Sequence, residues 1–436
     1  MHNQQAMARV SIPTPKIVAD PVYGIFDIRP VLSIVETEEF QALGDKRQLG
    51  MAYLTFPSAT HSRKAHSLGS YHATRELANR WIALKLISRE EGDALAAFAL
   101  CHDIGHPAFS HVTENLCRLD NSGLSLEIVR KLKKEIAASG ANYKLVESYA
   151  AGKDPLHLAV KDKNLGMEKL DYLERDGLAT LLSRPMGVDY LRQHIYFIDG
   201  RLAIDEKAVD SAIEAQNFYM KMYKNVYLRK ASVIAQRMLQ KMVYHLILSN
   251  EIARDDLPAM TDSELLGILR VTKNDTARKL YALLRKRCLF RETITIRNRS
   301  FTEGTGVTEK GVFSVGIETA RMRALVKAPM LQARNQESLR SIEARIAQVA
   351  KLPAEAVLVV PVFSPSRFKP QDILVYRPKG EFRSLRDQYP AHFESMEELG
   401  MAYVAFRICA PEEHRKALAT PKTAKAVIEL VLSFAS

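Results

Sequence analysis

The chain has 436 residues and carries 62 Lys and Arg against 50 Asp and Glu, a formal net charge of +12 that favours anionic ligands such as nucleotides or nucleic acid. Its 47% hydrophobic content allows a substantial core, and the length suggests a large domain plus an appendage, or two domains. The four cysteines (Cys101, Cys117, Cys288, Cys409) lack the spacing of a disulfide framework or a zinc-thiolate site, no run of 18 apolar residues predicts a membrane helix, and the N-terminus lacks a signal-peptide pattern, so a reducing cytoplasm is the expected location.

Residues 1 to about 15 read as a loose tail. Lys16 to Gly24 reads as a short strand and turn. Thr37 to Gly50 reads as a helix and its exit, with Phe40 and Leu43 inward. Next comes His61 to His111, which holds six of the twelve histidines: His61, His66, His72, His102, His106 and His111. Imidazole is a good ligand for divalent metals, and a carboxylate completes a mixed nitrogen–oxygen site. His66 falls near the start of a helix expected over about 66–86. Ser88-x-x-Glu91 is a capping box that starts a second helix. On it Leu95, Phe98, Ala99 and His102 share one face, so His102 points with buried apolar groups. Gly105 and Pro107 end that helix just past Asp103.

Glu127 to Tyr149 reads as helical with Lys131, Lys133 and Lys134 exposed. In Gly166–Asp176, Glu168, Lys169, Tyr172 and Asp176 share one helical face, while Leu170 and Leu173 point elsewhere. Tyr219, Tyr223 and Tyr227 recur every fourth residue and form a stripe. Thr261 to Glu264 caps a further helix; the basic patch of Arg278, Lys279, Arg285, Lys286 and Arg287 reads as solvated surface before nucleic-acid site; and Gly304 to Gly311 has turn chemistry. Beyond 330 the period switches between 3.6 and 2: helix 335–350, strands Ala356–Phe363, Ile373–Tyr376 and Ala402–Ile408, then a final helix with Val427, Leu430 and Val431. The expected organisation is a helical domain over 1–250, a helical and loop extension over 251–329, and a C-terminal α+β lobe over 330–436.

The order His66, His102-Asp103, Glu168 resembles the HD metal-dependent phosphohydrolases. The strings Phe56-Pro57-Ser58-Ala59-Thr60-His61-Ser62-Arg63, His66-Ser67-Leu68-Gly69, Phe109-Ser110-His111 and Glu168 to Asp176 are similar to the deoxynucleoside triphosphate triphosphohydrolases of that superfamily, in particular the branch of the SAM-and-HD-domain enzymes. The resemblance runs over roughly residues 16 to 245. It implies a mainly α fold with an HD-domain helical core. It implies one divalent metal ion (Mg, Mn, Fe, Ni or Zn) held by His66, His102, Asp103 and Glu168. It also implies deoxynucleoside triphosphates as substrate, cleaved at the α-phosphorus to deoxynucleoside and triphosphate, and assembly as a homo-oligomer. His111 would be the general acid and His106 a phosphate contact, with Arg63 and Lys169 neutralising the phosphate tail. Gln48 and Leu49 would line the sugar: a Gln amide can bond a 3′-hydroxyl and an apolar wall can exclude a 2′-hydroxyl. Tyr172 and Asp176 would hold the 3′-hydroxyl, Tyr227 would lie against the deoxyribose, and Lys230 near phosphates or a neighbouring subunit.

Three departures stand out. Where nucleotide-activated members carry an aspartate and arginines for a guanine nucleotide, this chain has Glu36, Ala42 and Gly44. Glu replaces Asp at 168, which moves the carboxylate by about one bond, roughly 1.5 Å. The His-Glu pair that follows Phe-Ser-His in the family is missing from 120–127; Glu114 and Glu127 are the nearest carboxylates, and neither is in register. Two alternatives follow: a weakened HD-fold regulator that binds nucleotide or nucleic acid without turnover, or an HD phosphohydrolase acting on another phosphoester such as a nucleoside monophosphate.

Overall fold

A computed structural model describes residues 14–302, 304–362, 371–377 and 380–435. The expected N-terminal tail up to residue 13 and the end of the expected strand at Phe363 lie outside the described residues. The fold is mainly α, with a two-stranded antiparallel ribbon of Ile17–Asp20 and Gly24–Asp27 and two small mixed sheets.

The helices that build the site are set by their caps. Helix α1, Arg63–Ala83, starts three residues before the expected His66 because the Ser62 hydroxyl accepts from Ala65 N–H. Helix α2, Arg89–Cys101, opens on the expected Ser88/Glu91 capping box, and His102 is its C-terminal cap residue. The two helices pack on each other around a core that includes Phe40, Trp81, Leu95 and Phe98, each nearly or fully buried. Helix α3, Met167–Leu181, crosses α1 and carries the Glu168–Asp176 segment. The expected long helix over 127–149 is three shorter ones, Asn121–Lys131, Lys133–Ala138 and Tyr143–Ala150. Gly140, at φ +83, makes the last break, and Asn142 supplies an internal cap that a single helix would not need.

Helix α4, Val209–Met222, does not carry the tyrosine stripe to its end: Tyr223–Tyr227 is a π-helical turn, in which Leu228 N–H donates to Tyr223 C=O at 2.9 Å. Helix α5, Lys230–Leu248, restarts after it. Helix α6, Asp262–Val271, begins on the expected Thr261/Glu264 box.

The smaller sheet-containing C-terminal region builds its two mixed sheets with strands from earlier in the chain. One sheet runs in the order Gly306–Val307, Phe313–Ile317, Arg291–Asn298, Ala405–Ala410, Leu358–Val360, so it takes strands from both sides of residue 330. The other joins Glu381–Ser384 and Leu374–Arg377 to Arg201–Asp205 and Ile195–Ile198 of the first 250 residues, with Leu374–Arg377 parallel to Arg201–Asp205. The expected turn segment 304–311 is in part a strand of the first sheet. Among the described residues no helix is long and apolar enough to cross a membrane.

Candidate metal centre

His66 on the first turn of α1, His102 at the end of α2 and Asp103 just beyond it are buried together. The two Nε2 atoms are 3.2 Å apart. Asp103 Oδ2 lies 3.8 Å from His66 Nε2, and Asp103 Oδ1 lies 3.6 Å from His102 Nε2. Glu168 Oε2, from α3, comes within 3.9 Å of His102 Nε2. Ligands at about 2.1 Å from a first-row metal stand about 3.0–3.4 Å from one another, so this donor set is close to metal-ready.

The tautomers support that fit. His66 Nδ1 is 2.7 Å from Asp171 Oδ2, and Arg175 keeps the Asp171 carboxyl ionised despite its burial. His102 Nδ1 is 2.6 Å from the Ala99 carbonyl. A carbonyl and a carboxylate only accept, so both Nδ1 atoms carry the proton and both Nε2 lone pairs face each other. Burial pushes His102 down to about 4, so its ring is neutral at pH 7. Facing lone pairs at that distance repel, and a shared cation turns the repulsion into attraction. Burial pushes Asp103 up, but His102, His106 and Arg63 around it hold it well below the usual carboxylate range.

Around this centre the outer partners are specific. Arg63, fully enclosed, donates to Asp103 and to Ser110 Oγ at 2.5 Å. Asn121 Nδ2 donates to Asp103 Oδ1 at 3.0 Å. Lys161 Nζ lies 2.8 Å from Glu168 Oε2 and 3.7 Å from Asp103 Oδ1. The Glu168 carboxylate is thus shared with an ammonium rather than aimed at the histidines alone.

Beside the centre lies a cavity of about 290 Å³, near the lower end of the size range of ligand sites. Gln48, Leu49, Arg63, Phe109, Ser110, His111, Glu168, Tyr172, Asp176, Tyr223, Tyr227 and Gln236 are among its walls. Gln48 Oε1 is buried there with no hydrogen-bond partner. Asp176 accepts from Tyr227 OH at 2.7 Å, and its other oxygen is 2.8 Å from His61 Nε2. The π-helical turn explains Tyr227: the extra residue per turn swings its phenol to Asp176. His111 is exposed at the rim, and its Nδ1 lies 2.8 Å from Glu114 Oε2. Burial pushes Glu114 up, but the His111 contact takes it down to about 2.

The structure thus brings together His66, His102 and Asp103, with Glu168 at their edge, and brings Gln48, Leu49, Arg63, His111, Tyr172, Asp176 and Tyr227 to one cavity. It does not bring three expected residues there. His106 sits behind Asp103, its Nε2 3.5 Å from Asp103 Oδ2, fully buried, and burial and next the Arg63 charge push it down to about 3. Lys169 turns away from the face of Glu168 and Tyr172. Its ammonium lies 3.5 Å over the Tyr219 ring and donates to the Lys163 carbonyl, and burial pushes it down to about 7. Lys230 pairs with Glu292 at 2.7 Å. Sequence reasoning missed Asp171, Lys161, Asn121 and Gln236. Asp171 alone left a signal, its i,i+4 spacing to Arg175.

The sequence matches the HD domain family over residues 63–172 and the HD associated region over residues 188–320. The first match spans α1 to Tyr172 and so contains all four of the candidate ligands. The chain is an HD-domain protein. Several proteins resemble this HD protein. An uncharacterised protein of Methanocaldococcus jannaschii is 28% identical over 64% of the chain and 60% of its own length. The human deoxynucleoside triphosphate triphosphohydrolase SAMHD1 is 36% identical over 25% of the chain and 18% of its own length, and its Dictyostelium discoideum homolog is 25% identical over 49% and 46%. The match therefore spans 60% or less of these relatives' own length. In fold the HD protein is similar to a phosphohydrolase of Bacteroides thetaiotaomicron, with a TM-score of 0.69 at 20% identity over 91% of this chain and 100% of that one. The HD domain carries the buried His66, His102 and Asp103, whose ligand atoms all lie within 4.8 Å of one another, a spacing suited to a metal ion.

Proposed function

We propose that the chain hydrolyses deoxynucleoside triphosphates at the α-phosphorus and releases a deoxynucleoside and triphosphate. The observation that carries this reading is one helix face that joins the metal centre to the adjoining cavity of about 290 Å³. On α3, Tyr172 lies about 6 Å and Asp176 about 12 Å along the axis from Glu168, and all three line the same cavity. The names of the human and Dictyostelium relatives favour the same substrate class.

His66, His102, Asp103 and Glu168 would hold the ion, which supplies Lewis acidity at a phosphoryl oxygen and a more acidic bound water. Asp171 and the Ala99 carbonyl fix the two imidazoles, and Arg63 balances the charge of Asp103. Water oxygen bonds to the α-phosphorus as the bond to the 5′-oxygen breaks. His111 gives the departing 5′-oxygen its proton from Nε2, with Glu114 on Nδ1 holding the ring in place. Glu114 therefore does for His111 what the absent His-Glu pair would do. Asp176 and the orphan Gln48 Oε1 accept from sugar hydroxyls, and Leu49 closes the wall against a 2′-hydroxyl.

The test is incubation with a divalent metal and each of the four deoxynucleoside triphosphates, with anion-exchange detection of triphosphate. Release of triphosphate with matching deoxynucleoside is expected; release of only monophosphate, or of nothing, overturns the reading. Hydrolysis of a nucleoside monophosphate added to the same panel redirects it to another phosphoester. One observation, the ion pair of Glu168 with Lys161, favours a second reading as a nucleotide- or nucleic-acid-binding regulator. That reading expects no bound metal and salt-sensitive DNA binding.

A further inference from the structure

The segment Leu257–Asp262 leads into α6 and grips the loop that carries His106 and His111. Ala108 N–H donates to the Leu257 carbonyl at 3.2 Å. The buried Lys46 ammonium bridges the His106 carbonyl at 2.8 Å and the Pro258 carbonyl at 2.7 Å. Asp262 is fully buried at the start of α6. Its Oδ1 accepts Phe109 N–H at 2.6 Å. Its Oδ2 accepts Arg47 N–H at 2.9 Å, with the Arg47 guanidinium at 3.5 Å. Each amide stands immediately before a wall of the cavity: Gln48 and Leu49 on one side, Ser110 and His111 on the other.

The gripped loop is strained. Phe109 and Ser110 have φ of +56 and +51, two successive left-handed residues that are not glycine. Side chains stay in that region only where the surroundings over-determine it. Arg63 holds Ser110 from the metal side, and Asp262 holds Phe109 from the other. A carboxylate can accept from two amides that approach different oxygens; a carboxamide has one such oxygen, and its NH2 would meet the second amide donor to donor.

We propose that Asp262 is a positioning residue of the site. It ties the strained Pro107–His111 loop to the Arg47–Leu49 wall, so the HD associated region sets how far His111 reaches toward the cavity. The effect on turnover rests on the proposed dNTP hydrolysis; the effect on the loop does not. The experiment compares the full chain with Asp262→Asn and with Asp262→Glu, which keeps two acceptors but displaces them by a bond. Hydrogen exchange of peptides covering 46–50 and 106–112, metal per chain, and kcat and KM for a deoxynucleoside triphosphate are measured. Expected is at least tenfold faster exchange confined to those two peptides. Metal content and KM should stay within about twofold, with kcat per bound metal down at least tenfold. A merely structural role would instead lower metal content and folded fraction and leave kcat per metal unchanged. Exchange in those peptides matching wild type in either folded variant overturns the proposal, as does an unchanged kcat per metal. If the wild-type chain releases no triphosphate, the substrate reading falls and the exchange measurement alone decides on Asp262.

Discussion

Gly69→Ala puts two opposing effects in competition at the metal centre. Gly69 lies inside α1 where α3 crosses closest, and a Cβ there would stand 2.1 Å from Asp171 Oδ1 and 2.2 Å from Arg175 Nη2. Replacing a helix-interior glycine by alanine normally stabilises by about 1 kcal/mol. Here the Asp171 oxygen must retreat by about 1.3 Å to reach ordinary contact at 3.4 Å. It has little room, because Arg175 ties it from one side and is itself tied to Asp20 at 2.8 Å. Overpacking of this kind costs about 1–3 kcal/mol, which cancels or exceeds the helix gain. The displacement also breaks the 2.7 Å bond that orients His66. Losing such an outer partner typically weakens metal binding 10–100-fold, about 1.4–2.8 kcal/mol. The expected outcome is unchanged or lower denaturant stability together with a 10–100-fold weaker metal affinity, measured by chelator competition and by metal per chain after dialysis. A variant about 1 kcal/mol more stable with full metal affinity would refute the reasoning.

Lys161→Met removes an ammonium 2.8 Å from Glu168 and 3.7 Å from Asp103, so the metal dissociation constant should fall by about tenfold or more in a chelator titration; equal or weaker binding counts against competition for Glu168. Glu114→Gln keeps the shape but loses the charged partner of His111, so kcat should fall about 10–100-fold with metal content intact, and an unchanged kcat removes His111 as the acid. Metal-free protein should lose stability as pH falls from about 6.5 to 4. Burial holds the folded pKa of His102 at about 4 and of His106 at about 3, below the unfolded value near 6.5, so the unfolded chain takes up more protons in that window. Asp262, raised by burial to about 6, acts in the opposite sense with one proton, so these three groups together contribute a loss of about 1.4 kcal/mol per pH unit in urea unfolding, and the lowered His72, His245 and His392 add to it; a flat profile contradicts it.

Local patterns carried much of this protein. The capping boxes at Ser88/Glu91 and Thr261/Glu264, the inward Phe40 and Leu43, and the buried His102 depend on neighbours within one or two turns, and all are legible from spacing. The resemblance to the HD phosphohydrolases pointed to His66, His102 and Asp103 as ligands, and these three residues do lie together, buried, in the structure. The partners that tune the cluster were not legible. Lys161 meets Glu168, Asn121 meets Asp103, and Asp262 reaches Phe109 from 153 residues away. Lys169 follows the same logic: periodicity put it beside Glu168, yet a 100° step per residue is coarse enough that a nearby carbonyl and an aromatic ring took its ammonium away from the cavity. Strand pairing was beyond reach as well, since nothing in the residues of Leu374–Arg377 names Arg201–Asp205 as its neighbour. Residue type and short-range period determine which elements form and which chemistry they carry. Which side chains finally touch depends on how helices cross and chain segments return, and that free energy belongs to contacts far apart in the sequence.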